Sequence, residues 1–236
     1  MARRALEPEN FPFFDYRRFT FSLGIVAGGS VWLSGNTAAR FDPQRKGMVV
    51  NGDLIEQAGV IFDKMQTVLA AGGRKLTDVT RMVRYVTPRA LPDLGRLDAV
   101  QREIVGSRAE VATVEVHSLL REEALIEIEA AVQQPDARLM LASAQGEGAP
   151  DDIVDQTRGA YRRIAETLTR SGIGFEAVVK TTEFIVPAAL PDYRKTAAVR
   201  RDLFSPPYPA ATGVIRTDVS PPRTLIAVEA IAVREA

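Results

Sequence analysis

Apolar residues recur at helical spacing twice along this chain, and the two runs lie 99 positions apart. Leu54, Ala58, Ile61, Phe62, Met65 and Leu69 form the first stripe. Ile153, Thr157, Ala160, Tyr161, Ile164 and Leu168 form the second, with one threonine among them. Intervals of three and four place each set on one side of a helix, so two amphipathic helices are predicted. Gly73 and Gly172 stand where the stripes stop, suited to a left-handed helix end. The pattern then changes. VTRMVRYVT (79–87) and VVKTTEFIV (178–186) are rich in β-branched and aromatic residues and read as strands. Pro88 and Pro187 end them, since proline cannot donate to a ladder. The shared ALPD then opens a second helix, at about 91–105 and again at about 190–203. Two strands close each copy: AEVATVEVHS with ALIEIEAAV, and AATGVIRTDV with TLIAVEAIAV. Upstream, SVWLSGN (30–36) corresponds to LMLASAQ (139–145), and an extra strand at about 19–27 leads the first copy.

Residues 57–94 align without a gap on 156–193, and Gln57, Leu69, Gly73, Val79, Pro88, Ala90, Leu91, Pro92 and Asp93 all recur. A constant offset over that length identifies a duplicated unit rather than two similar helices. Each unit reads β-α-β-α-β-β, an α+β layer with its helices on one face of a mixed sheet. The expected domains are 1–134 and 135–236. The QQPDA junction between them is a turn rather than a linker, so the two units should pack as one body.

Composition narrows the function. The chain has 236 residues, 46% of them hydrophobic, with 30 basic and 30 acidic side chains. Balanced charge gives no overall field toward nucleic acid or an anionic membrane. The absence of cysteine removes disulfides, thiolate nucleophiles and Cys-ligated zinc, and a single histidine, His117, excludes a multi-histidine metal site. No apolar run approaches the ~20 residues of a membrane span, and the N-terminus lacks a signal-peptide core. No phosphate loop, dinucleotide fingerprint or nucleophile elbow is present. The expectation is a cytoplasmic protein without metal or cofactor.

FSLGIVAGGSVWLSGN (21–36), GGRKLTDVTRMVRYVT and IEIEAAV, with SGIGFEAVVKTTEFIV, PYPAATGV and VEAIAV in the second copy, resemble the reactive intermediate deaminase (RidA/YjgF) family. The resemblance covers nearly the whole chain, twice. It implies a chorismate-mutase-like fold, three domains in a ring and ligand clefts between neighbouring domains. It also implies cofactor-free hydrolysis of enamines and imines to a keto acid and ammonia. In that family an arginine in a PAR context on the penultimate strand holds the substrate carboxylate, a role suited to the planar guanidinium fork. Here Val111 and Ala211 stand at the two corresponding positions, and Phe21 matches a tyrosine of the first family strand. Neither valine nor alanine binds an anion, so a standard 2-aminoacrylate deaminase is disfavoured.

Glu129 and Glu229 match an acidic family position that faces the interdomain cleft, and are the candidates for handling water. Strand alternation adds Glu127 to the Glu129 face. His117 is a further acid–base candidate if Val111 lines a cleft. Arg84, Arg108 and Arg216 are candidate replacements for the missing clamp. One extra residue before IAVEA allows a β-bulge that would re-aim Arg216. The leading reading is a divergent imine or enamine hydrolase acting on a small molecule, assembled as a homotrimer. The alternatives are a non-catalytic ligand-binding or scaffold protein, whose clefts would be filled by Phe21, Val111 and Trp32, and a chorismatase-like hydrolase.

Overall fold

A computed structural model describes residues 3–219 and 223–234. The first half runs β1 (Arg4–Ala5), β2 (Gly24–Ala27), β3 (Ser30–Leu33), a hairpin of β4 (Arg40–Asp42) and β5 (Gly47–Val49), and α1 (Leu54–Ala70). It continues with β6 (Arg81–Val86), α2 (Leu94–Val105), β7 (Glu110–Glu115), β8 (Ser118–Leu119) and β9 (Ile126–Val132). The second half follows as β10 (Leu139–Gln145), α3 (Ile153–Arg170), β11 (Val178–Ile185), α4 (Ala197–Leu203), β12 (Ala210–Ile215) and β13 (Ile226–Val233).

The predicted helices form where the stripes place them, each fixed at both ends. Asp53 caps α1 in a reciprocal box with Glu56, and Asp152 caps α3 through the amides of Val154 and Asp155. Gly73 and Gly172 take φ of +67° and +73° just beyond them, as the left-handed stop requires. The second helices begin later than their sequence suggested. Pro92 and Pro191 hold the lead-in as 3-10 turns, Pro88–Asp93 and Pro187–Thr196, because a proline removes a donor and disfavours α geometry at the residue before it. The leading strand also starts late, at Gly24 rather than near 19. Residues 16–18 form a 3-10 turn capped by Asp15.

Two mixed sheets result, ordered β1-β2-β3-β9-β6-β7 and β10-β13-β11-β12-β8. In each, the strand that follows the first helix pairs in parallel with the strand that follows the second (β6 with β7, β11 with β12). β8 belongs to the first half by sequence but pairs with β12, and the His117 amide donates to the Ile215 carbonyl beside it. The first half therefore completes the second half's sheet.

Each sheet buries one face under its own helices. Met82, Val86, Ile126 and Ile128 meet α1 residues such as Ile61 and Met65; Val178, Ile185, Val228 and Ala230 meet Tyr161 and Ile164. The opposite faces meet each other. Ile25, Ala27, Trp32 and Ala131 of the first half pack with Val179 and Ala210 of the second. A bulge in β11 between Val178 and Lys180 turns both Val179 and Lys180 toward this seam. No bulge occurs at β12, whose pairing with β11 is regular, so Arg216 is not re-aimed that way. Within the seam the Lys180 ammonium lies 2.9 Å from Glu129 Oε2, and the Thr212 hydroxyl donates to the same oxygen at 2.5 Å. Lys180 also donates to that hydroxyl. Arg3 adds a second tie, donating to the carbonyls of Phe175, Val178, Ser205 and Pro207.

Truncating one member of a buried ion pair leaves the other charge uncompensated. Glu129→Ala is therefore expected to cost about 3–5 kcal/mol, read from the urea midpoint, while the double change Glu129→Leu with Lys180→Met recovers most of it. Equal losses in the single and double variants would contradict this role for the pair.

Candidate functional site

Where the seam opens, the two halves enclose a cavity of about 1090 Å³. Its floor follows from the alternation in β9. Ile126 and Ile128 point into the helix-side core, so Glu127 and Glu129 point toward the second half. Glu127 lines the cavity and is 6% exposed. Burial pushes its carboxyl up to about 8, and the like charge of Glu129 adds to the rise while Lys180 and Lys64 oppose it. Glu127 therefore keeps its proton to a higher pH than a solvated glutamate does.

The backbone comes very close to it. Gly35 donates to the Ala211 carbonyl at 3.0 Å, and the Ser34 hydroxyl accepts from the Ala211 amide at 2.8 Å. A Cβ on Gly35 would fall 2.0 Å from Glu127 Oε1 and 2.8 Å from Thr212 Oγ1, so only glycine fits there. Lys64, on α1, is buried beside the same cavity. Its ammonium donates to the carbonyls of Thr37 at 2.7 Å and Ala39 at 2.5 Å, with the rings of Phe13 and Phe14 each 5.4 Å away. Burial lowers its pKa to about 7, against the pull of Glu127. On the second half's wall, Arg200 grips both oxygens of buried Glu183 at 2.8 and 2.7 Å, and the hydroxyls of Tyr161 and Tyr193 donate to the same carboxylate. The Arg200 Nε reaches back to Thr20 of the first half at 3.1 Å.

The residues singled out from the sequence separate into three groups. Phe21 and Ala211 line the cavity from opposite halves. Glu129 sits beneath it in the ion pair with Lys180, while Glu229 is exposed farther along the seam, its carboxyl raised by desolvation and by Glu129. The remainder lie away from the cavity. Val111 is exposed on the edge strand β7, and Arg108 and His117 are exposed as well. Arg216 pairs with Asp218 over the Phe184 ring. Arg84 is buried on the helix side, bonded to Asp98 at 2.6 Å and to Thr113 at 2.7 Å, where it joins α2 to β6 and β7. None of the three proposed replacement arginines therefore reaches the cavity. Arg17, Arg18, Arg121, Arg194, Arg200 and Arg201 do, and only their position in the fold reveals it.

The model of the family described as Endoribonuclease L-PSP matches residues 17–134 and again 140–234. The RutC family protein PH0854 of Pyrococcus horikoshii is 32% identical over 47% of this chain and 83% of its own length. Protein DfrA of Myxococcus xanthus is 31% identical over 51% of this chain and 88% of its own length. Among solved structures, YyfA of Yersinia pestis, of the conserved Rid protein family, superimposes with a TM-score of 0.46 at 20% identity, covering 55% of this chain and 98% of that one.

The raised carboxyl makes stability depend on pH. Between 4.5 and about 8 native Glu127 holds a proton that the unfolded chain releases, so its contribution is lost as pH rises through 8. Lys64 acts in the other direction, its penalty easing as pH climbs from about 7 to 10.5. Glu127→Gln removes the first effect and leaves the burial penalty of Lys64 in place. Its melting temperature relative to wild type is expected to be higher at pH 9 than at pH 5. A difference that does not change with pH would contradict the placement of this group.

Proposed function

Since the chain belongs to the endoribonuclease L-PSP family, and does so twice over, we propose that its interdomain cavity hydrolyses small-molecule imines or enamines without a cofactor, with Glu127 as the proton donor. The observation that carries the reading is a buried carboxyl lining an open cavity between the halves, where burial raises its hold on a proton. A scaffold would have filled that space with side chains. Of the three side chains expected to fill a scaffold's clefts, Phe21 lines the cavity and leaves it open, Trp32 packs in the closed part of the seam and Val111 lies on an outer edge.

An enamine bound against Glu127 takes the carboxyl proton at its β-carbon and becomes an iminium. The carboxylate thus formed accepts a proton from water as the oxygen adds to the iminium carbon. The resulting carbinolamine expels ammonia and leaves the carbonyl compound. Enamine and water are consumed, ketone and ammonia are formed, and Glu127 returns to its starting state. Glu129 and Lys180 act beneath it as positioning residues: their pair fixes Thr212, which sits with Gly35 against the Glu127 side chain. The position of the family clamp, Ala211, presents no anion-binding group, and its amide and carbonyl are engaged by Ser34 and Gly35.

The chain is further read as a homotrimer of tandem units. Val111 on β7 and Leu139 and Leu141 on β10 leave apolar side chains on two open edge strands, and Leu141 is 67% exposed. Light scattering should give three times the mass of the chain; a monomer would contradict this assembly.

Activity is tested by generating imino acids with an amino-acid oxidase and trapping them with semicarbazide. Wild-type protein should lower the trapped product, with a rate that falls above about pH 8, and Glu127→Gln should be slower by about 10²–10⁴-fold. An unchanged rate in Glu127→Gln, or no consumption of any imine tried, would overturn the proposal.

A further inference from the structure

The outer part of the cavity is built differently from its floor. Seven large apolar side chains are exposed among the described residues, and three of them, Phe19, Phe41 and Leu120, line this one cavity. Phe19 and Phe41 are 50% and 51% open to solvent. Phe19 also begins an aromatic run directed inward: it stacks on Phe21 at 5.5 Å between ring centroids and meets Phe14 edge-on at 6.2 Å. Exposed aromatics gathered at one concave site are the ordinary mark of a surface that binds an apolar group.

Of the six arginines that line the cavity, Arg17, Arg18, Arg121, Arg194, Arg200 and Arg201, two come from opposite halves and feel each other's charge: Arg121 and Arg194. Arg121 follows Leu120 in the loop between β8 and β9, and Arg194 lies in the 3-10 segment before α4. Both line the cavity. They are near enough that the charge of Arg194, after burial, is the main influence lowering the proton affinity of Arg121. Among the described residues neither has an acidic partner within 4.0 Å. Arg200, by contrast, is saturated by Glu183. Two guanidiniums held together across a cleft repel each other until an anion lies between them.

We infer that the substrate carries both an aromatic or similarly bulky apolar group, bound on Phe19, Phe41 and Leu120, and an acid group, bound by Arg121 and Arg194. This rests on the reading of the cavity as an imine-hydrolysing site and names the substrate class it takes. The arginine pair supplies from outside the strand the anion recognition that Ala211 cannot. The cavity volume of about 1090 Å³ suits a ligand of that size and is far more than a three-carbon imine fills.

The test uses product analogues and calorimetry on the intact chain: phenylpyruvate, with ring and acid; pyruvate, with acid alone; phenylacetone, with ring alone. Phenylpyruvate is expected to bind about tenfold or more tighter than either. Combining Arg121→Ala with Arg194→Ala should abolish its advantage over phenylacetone, and combining Phe19→Ala with Phe41→Ala should abolish its advantage over pyruvate. All four side chains are at least partly exposed, so circular dichroism should find each variant folded. Equal binding of the three compounds, binding of none, or an arginine double variant that binds phenylpyruvate like wild type would overturn the inference. The two levels fail separately. Glu127-dependent hydrolysis with no preference for aromatic acids removes the substrate class alone, whereas phenylpyruvate binding without any turnover removes the hydrolase and keeps the ligand.

Discussion

Each half of this chain carries helices on only one face of its sheet, and the bare face has to be covered. That constraint organises the molecule. The two bare faces lie against each other, with an apolar patch around Ile25, Trp32, Val179 and Ala210 and, beside it, the Glu129–Lys180–Thr212 contact. Because Lys180 is buried, its partner must come from across the seam, and Glu129 is the group that meets it. The strap from Arg3 and the crossover of β8 pin the halves further. The cavity is the part of the seam that the apolar patch does not close.

Duplication freed the two copies to differ, and they differ where their chemistry lies. Arg84 in the first copy corresponds to Glu183 in the second, and Gln101 corresponds to Arg200. The same helix-to-strand contact is thus kept in both copies, with the arginine on the strand in the first and on the helix in the second. Glu127 corresponds to Ala227 in the closing strands, so only the first copy offers a carboxyl at that place. At the two positions where the resemblance places an arginine, the chain has Val111 and Ala211. The asymmetry explains why a single cavity concentrates the buried titratable groups Glu127 and Lys64.

Much of the fold was legible because its signals are local. The stripe from Leu54 to Leu69, the stop at Gly73 and the strand ended by Pro88 each depend on neighbours in sequence, and each recurs 99 residues later. Features set by distant contacts were not. Nothing near Ser118 announces that it will pair with Ile215, and nothing in the 40–49 stretch announces its hairpin. The site divides in the same way. Alternation puts Glu127 and Glu129 on one face, but which carboxylate is occupied by an ion pair is decided by Lys180, 51 residues beyond Glu129. Arg84 reads as a free strand arginine until α2 brings Asp98 and Gln101 over it. Arg121 and Arg194 look like ordinary loop charges until the halves close around the cavity they share.

Closure of the two halves raises the hold of the Glu127 carboxyl on its proton. Carbon-13 NMR of labelled glutamate carboxyls, followed across pH and assigned by comparison with Glu127→Gln, measures it without any substrate. One carboxyl resonance is expected to titrate with a midpoint near 8 and to be missing from the variant. A Glu127 resonance that titrates near 4.5, like an ordinary solvated glutamate, would contradict it.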